Sequence, residues 1–357
     1  MNKIIVIAEA GVNHNGNDEL AFKLVDAAVE AGADIVKFQT FKAESLVTKS
    51  ASKAKYQKQL TDKSESQYEM LKRLELSHDM HFKLIEYCKL KGIEFLSTAF
   101  DQDSLEFLVC QLNLNILKIP SGEITNGPLL LAHAKTGCDL IMSTGMASME
   151  EIETALGVIA FGMLGHKEQP SDEAFATAFS SKEGQKILKD KVTLLHCTTE
   201  YPAPLEDINL NAMTSMAKKF GTKIGYSDHS EGVTIPIAAS ALGARLIEKH
   251  FTLDKNLDGP DHKASLEPDE LKTMVTAVRD IEKALGNGVK ALQPSELANR
   301  NIARNSIVAA KNIAKGELLT EDNLTIKRPG TGISPMEYWR LLGSKSQADF
   351  KLDEIVY

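Results

Sequence analysis

The sequence predicts an α/β fold: a closed (β/α)8 TIM barrel followed by a small C-terminal domain. Three observations predict it. Eight strand-like runs alternate with amphipathic segments over the first ~285 residues, an order that implies a parallel sheet long enough to close. The first run leads into "EAGVNHNG", which lacks the G-x-G-x-x-G spacing expected of an open doubly wound sheet. After Gly288 the pattern changes to short β-type runs and turns.

The strand-like runs are 3–11, 34–40, 94–99, 116–122, 139–145, 192–198, 223–228 and 245–251. Between the first two, Leu20, Leu24, Ala27, Ala28 and Ala31 form one apolar stripe at helical spacing. Ser148, with Glu151 three residues on, reads as a capping box opening a helix. Pro268 followed by acidic residues, with Gly286 beyond, reads as the last helix of the barrel. Two connections are long and charged, 41–77 and 162–191, and long connections on a barrel often build substrate walls or lids. "GNGVKALQPSE" punctuates the chain with Gly and Pro. The expected division is a barrel over 1–287, a linker over 288–296 and a small domain over 297–357.

Composition narrows the class. Of 357 residues, 43% are hydrophobic and 25% charged, as in soluble globular proteins. A net charge of −8 disfavours nucleic-acid binding, which needs a basic surface. No apolar run is long enough for a membrane span or a signal segment, so a cytoplasmic protein is expected. Cys88, Cys110, Cys138 and Cys197 sit among apolar neighbours with no C-x-x-C pair and read as buried, reduced thiols.

Polar residues recur where the strands end, and in this fold the active residues gather at the C-terminal strand ends. In order these are Glu9; Lys37 and Gln39; Ser97 and Thr98; Lys118, Ser121 and Glu123; Ser143 and Thr144; His196, Thr198 and Tyr201; Ser227, Asp228 and His229; Glu248 and His250. Buried polar groups need partners, so such a series points to a ligand site. His229 and His250 close neighbouring strands and could bind a divalent metal through imidazole nitrogens, leaving open positions for substrate. Lys249 points to the helix layer. Lys37 and Lys118 lie inside apolar runs, where an ammonium is costly unless paired. They read as a cradle for phosphate and carboxylate, as a Schiff-base nucleophile of an aldolase, or as structural ion pairs.

At this level the motifs resemble a known family. "IAEAGVNHNG", "VKFQTF", "FLSTAFD", "LKIPSGEITN", "LLHCTTEYP", "GYSDHSEG", "EKHFTLD", "GPDHKASLEP" and "KRPGTGIS" occur in the order of the bacterial sialic acid synthases. The resemblance implies a barrel followed by an antifreeze-like (SAF) domain. It implies condensation of phosphoenolpyruvate with an N-acylated mannose-type sugar and water, giving a nine-carbon nonulosonic acid and phosphate. It implies manganese or magnesium on His229 and His250. It assigns Lys37, Thr98, Lys118, Ser121 and Ser227 to phosphoenolpyruvate, and Glu9 to the sugar and the reacting carbons; Ser143 joins this cradle on the strand-end reading alone. Gln39, Glu123, Tyr201 and Asp261 fall on the sugar side. Arg328 matches an arginine that reaches the sugar N-acyl group of a partner barrel in a domain-swapped homodimer. Two departures stand out: Thr199 replaces an Asn common in N-acetylneuraminate synthases, and "FQTFKAESLVTK" replaces their "HQTH" type of sequence. Both resemble synthases of N,N'-diacetyllegionaminate, whose acceptor is 2,4-diacetamido-2,4,6-trideoxymannose rather than N-acetylmannosamine.

Overall fold

Eight parallel strands close on themselves: β1 (Ile5–Gly11), β2 (Ile35–Thr40), β3 (Glu94–Ala99), β4 (Ile116–Ile119), β5 (Asp139–Ser143), β6 (Val192–Cys197), β7 (Lys223–Asp228) and β8 (Leu246–His250). The strands pair in sequence order, and β8 returns to β1 with Glu9 opposite His250. The structure is a computed structural model and describes residues 3–54, 57–58, 61 and 65–357. The chain divides into two compact units, Met1–Gly286 and Asn287–Tyr357. No helix among the described residues is long and apolar enough to cross a membrane.

Alternation along the strands sorts the side chains into two environments. Outward residues such as Val6, Val36, Phe38 and Leu117 pack under the helices. Inward residues first form an apolar layer of Ile7, Ile35, Leu96, Ile141, Leu195 and Leu246. Gly225 belongs to this crowded level. A Cβ there would lie 2.6 Å from Leu195 Cδ2 and would collide with the Leu246 carbonyl, so a larger residue cannot fit. The next inward positions, toward the C-terminal ends, are the polar ones.

Several local expectations hold. The helix Asp18–Ala31 buries Leu24, Ala27, Ala28 and Ala31, and Ser148 with Glu151 forms the capping box of the helix Met149–Met163. Pro268 starts the helix Pro268–Ala284. Others need correction. β4 stops at Ile119, because Ser121–Glu123 turns as a 3-10 helix. The connection 162–191 contains two helices, Asp172–Ser180 and Lys182–Lys191, whose Ala178 and Leu188 are buried in the outer core. The connection 41–77, within its described residues, holds the helices Ala43–Leu46 and Gln67–Leu74. Cys110 is exposed and Cys138 half-buried, so only Cys88 and Cys197 are the buried thiols expected.

The second unit pairs β9 (Ser306–Ala309) with β10 (Leu324–Lys327) in an antiparallel ribbon. Its small core contains Ile307, Ile313, Leu319, Leu324, Phe350 and Val356. Arg328 follows β10 and is exposed. The turn that carries it is anchored: Ser306 Oγ donates to the Pro329 carbonyl at 2.5 Å, and the Gly330 N–H donates to the Asn301 carbonyl at 2.8 Å.

Candidate active site

The inward polar positions meet in one cavity of about 390 Å³ at the C-terminal mouth of the barrel. Its lining includes every barrel residue singled out above for substrate or metal except Glu123. Glu123 lies on the adjacent 3-10 turn and accepts from Asn126 Nδ2 at 2.7 Å. Besides Glu123, five of the polar strand-end residues do not converge, among them Thr198, whose hydroxyl donates to the Asp207 carbonyl at 3.3 Å. Ser97 bonds Thr40, Thr144 donates to the Leu195 carbonyl, His196 bonds the Ile208 carbonyl, and Asp228 pairs with Lys249. Each is one residue out of phase with the inward set, so the pleat turns it toward the helices. The Lys249–Asp228 pair is completely buried at 2.6 Å, with Asp228 also accepting from Ser230. It ties the ends of β7 and β8 together behind the two histidines.

Charge inside the mouth is compensated before any ligand arrives. Lys37 Nζ lies 2.7 Å from Glu9 and 3.5 Å from Glu248, and donates to Thr98 Oγ1 at 3.0 Å. Lys118 Nζ lies 3.6 Å from Glu248 and donates to Ser143 Oγ at 2.7 Å. Ser227 Oγ donates to Glu248 at 2.8 Å, and Gln39 Nε2 to Glu9 at 3.3 Å. In the sequence Glu248 is one of the polar strand ends, with no specific role; in the structure it is the carboxylate that joins the two lysines. The two carboxylates are held apart in acidity. Burial pushes Glu9 up to about 7, against the pull of Lys37. Burial also acts on Glu248, but Lys118, Lys37 and the Ser227 hydroxyl outweigh it and hold this carboxyl down at about 2. A pair separated in this way offers one fixed anion and one group able to exchange a proton near neutrality. Asp261 is buried at the mouth, and burial pushes it up to about 6.

The two imidazoles approach with ring centroids 5.6 Å apart. His229 Nδ1 lies 2.7 Å from the Thr198 carbonyl, and its Nε2 lies 3.0 Å from the Tyr201 hydroxyl. Hydrogen bonding of one ring nitrogen to a carbonyl is the usual way a ligating histidine is oriented, and here the other nitrogen, Nε2, meets the Tyr201 hydroxyl, which a bound cation would displace. His250 Nδ1 is buried with no hydrogen-bond partner among the described residues. Burial, His229 and Lys37 hold His250 well below the usual range, which favours the neutral ring a metal ligand needs, whereas at His229 burial is outweighed by Cys197 and the Thr198 carbonyl, which raise it. The donor set therefore fits a divalent cation held by His229 and His250. Cys197 was expected to be a core thiol, yet it lines the cavity with Sγ 3.7 Å from both His229 Nδ1 and Ser121 Oγ. Its place at the end of β6 was the only signal available in the sequence.

Gly145 shows how closely the loops are fitted. Its N–H donates to Ser121 Oγ at 3.0 Å, and a Cβ there would fall 2.1 Å from Thr199 Oγ1. On the β1–β3 side the cavity wall changes character. Val12, Phe41, Met70 and Leu74 form a separate apolar cluster, with Leu46, Leu71 and Phe100 packed against it.

A barrel whose mouth sets paired lysines and carboxylates beside two convergent histidines belongs to an enzyme that handles an anion and a carbonyl together. The family can be stated: residues 24–290 match the NeuB family and residues 304–357 the SAF domain, and this chain belongs to the NeuB family. It is 50% identical to the N,N'-diacetyllegionaminic acid synthase of Campylobacter jejuni, over 100% of this chain and 99% of that protein. Its identity to the enzyme of the same name from Legionella pneumophila is 46%, over 95% of this chain and 89% of that protein. A crystal structure of the N-acetylneuraminic acid synthetase of Leptospira borgpetersenii, in complex with citrate, superposes with a TM-score of 0.68 at 35% identity, covering 84% of this chain and 90% of that one. The family resemblance and the barrel-plus-SAF architecture read from the motifs both hold.

Proposed function

We propose that the protein condenses phosphoenolpyruvate with 2,4-diacetamido-2,4,6-trideoxymannose and water, forming N,N'-diacetyllegionaminate and phosphate. The observation that carries this reading is the single cavity that gathers Lys37, Lys118 and their hydroxyl partners beside His229 and His250. The names of the two legionaminic acid synthase relatives support the choice of acceptor.

Lys37 and Lys118, with Thr98, Ser121, Ser143 and Ser227, hold the phosphate and carboxylate of phosphoenolpyruvate and orient its methylene carbon. His229 and His250 would hold a divalent cation, manganese or magnesium, which when bound would supply Lewis-acid polarisation at the aldehyde of the open-chain acceptor. The methylene carbon forms the new bond to that aldehyde carbon. Glu9 exchanges a proton with the aldehyde oxygen or with the water that adds at carbon 2. The carbon–oxygen bond to phosphate then breaks, releasing phosphate. Gln39, Tyr201 and Asp261, together with Glu123 at the adjoining turn, face the sugar. A phosphate-release assay with a panel of N-acyl sugars tests the reading. Turnover with the trideoxy sugar supports it, and no phosphate release with any of the panel would refute it.

The remaining parts of the proposal concern organisation. Residues 1–287 act as the barrel, 288–296 as a connector and 297–357 as the SAF domain, in a cytoplasmic homodimer whose small domains are exchanged. Arg328, on its anchored turn, then completes the partner's site, a reciprocal contact natural to two-fold symmetry. Arg328→Ala and His229→Ala are each expected to be nearly inactive. Co-expressed with different tags, they form heterodimers in which one barrel is complete, and activity returns. Isolated heterodimers without activity would rule out the exchange.

A further inference from the structure

The mouth of the barrel is polar on its strands but apolar on one connection. Leu46, Leu71 and Phe100 line the same cavity as Lys37 and His250, and all three remain half-buried. Phe41 and Met70 beside them border the cavity too but are buried and already supply a core to this segment. The half-buried side chains are thus a surface offered to the cavity rather than part of that core. Gln67, on the same helix as Leu71, adds an amide to the lining. A polyhydroxylated sugar lying here would leave hydroxyls without partners, which is unfavourable in a desolvated site. Methyl groups and an acetamido group would be accommodated: carbon against leucine and phenylalanine, amide against glutamine.

We propose that this wall receives the methyl-bearing end of the acceptor sugar and selects a deoxygenated, doubly N-acylated acceptor over one rich in hydroxyls. The inference rests on the condensation proposed above and adds the residues that set its specificity. The anion cradle, built on the strands, has no part in the selection. An apolar pocket discriminates against an added hydroxyl by about 100-fold at most, so a preference of about 10- to 100-fold is expected.

The test compares kcat/KM for 2,4-diacetamido-2,4,6-trideoxymannose and for N-acetylmannosamine, with phosphate release as readout. The wild-type enzyme should favour the trideoxy sugar. Leu46→Gln and Leu71→Gln should each narrow the ratio by about fivefold or more, through loss of turnover on the trideoxy sugar, with the KM for phosphoenolpyruvate unchanged. Leu71→Met, which keeps an apolar side chain of similar volume, should retain the wild-type ratio and so exclude a general disturbance of the helix. An unchanged ratio in both glutamine variants overturns the wall's role and leaves the reaction standing. So does a parallel loss of phosphoenolpyruvate affinity. If the wild-type enzyme releases phosphate with neither sugar, the reaction itself is wrong and the wall's role falls with it.

Discussion

Stripped of divalent metal by a chelator, the enzyme is expected to lose turnover completely and to regain it when manganese is added. His229→Gln should bind manganese more weakly by at least ~100-fold, since changes to residues that merely support a ligand already cost 10–100-fold. Titration of the metal by electron paramagnetic resonance reads this without recourse to activity. The variant should remain folded. His229 gives up its hydrogen bonds to the Thr198 carbonyl and the Tyr201 hydroxyl, each worth about 1 kcal/mol. The Lys249–Asp228 pair that ties the strand ends is untouched. Full turnover in metal-free enzyme, or wild-type manganese affinity in the variant, would show that the convergence of the two rings has another purpose.

The second large effect separates the two lysines. Lys118→Met should weaken phosphoenolpyruvate binding by about 10- to 100-fold, the value of a charge-assisted contact of about 1.5–3 kcal/mol. Its fold should persist, because Glu248 keeps Lys37 at 3.5 Å and the Ser227 hydroxyl at 2.8 Å. Lys37→Met is a different experiment. Lys37 lies between Glu9 and Glu248, both buried, and its removal leaves two carboxylates facing each other. Breaking a buried pair by removing one partner costs about 3–5 kcal/mol, so this variant should melt at lower temperature as well as bind poorly. Calorimetric titration with phosphoenolpyruvate alone, beside thermal melts, distinguishes the cases. Unchanged affinity in Lys118→Met would end the cradle reading. A borohydride-trapped adduct on either lysine would favour an aldolase instead.

The barrel was legible because its signals are local and repeated. Each strand reads as a short apolar run, each helix as a stripe, and several helix starts carry recognisable caps. What the apolar pattern by itself did not show, and only the family motifs supplied, was which of two adjacent polar residues at a strand end faces inward. Ser97 and Thr98, Ser143 and Thr144, Asp228 and His229 are each neighbours, and one residue of register decides between cavity and helix layer. Glu248 illustrates a second limit. In the sequence it is one polar strand end among many, but its work is to bridge Lys37 and Lys118, from strands distant in sequence. Cys197 was read as filler because its apolar neighbours are those of any buried thiol, and only the closed sheet brings it against His229. The two helices within 162–191 were missed because so few of their positions are buried, Ala178 in the first and Gly184 and Leu188 in the second, that no apolar stripe stands out.

The groups that hold charge at the mouth are borne on strands, while the apolar wall is borne on the 41–77 connection and the end of β3. This division bears on how such an enzyme diversifies. A strand residue in a closed sheet is fixed by two neighbours, so changing it disturbs the reaction common to every substrate. A connection has its own small core and can be exchanged, lengthened or resurfaced while that reaction continues. New acceptors are then reached by drift in one segment, and a descendant that handles a different sugar never has to pass through an inactive ancestor.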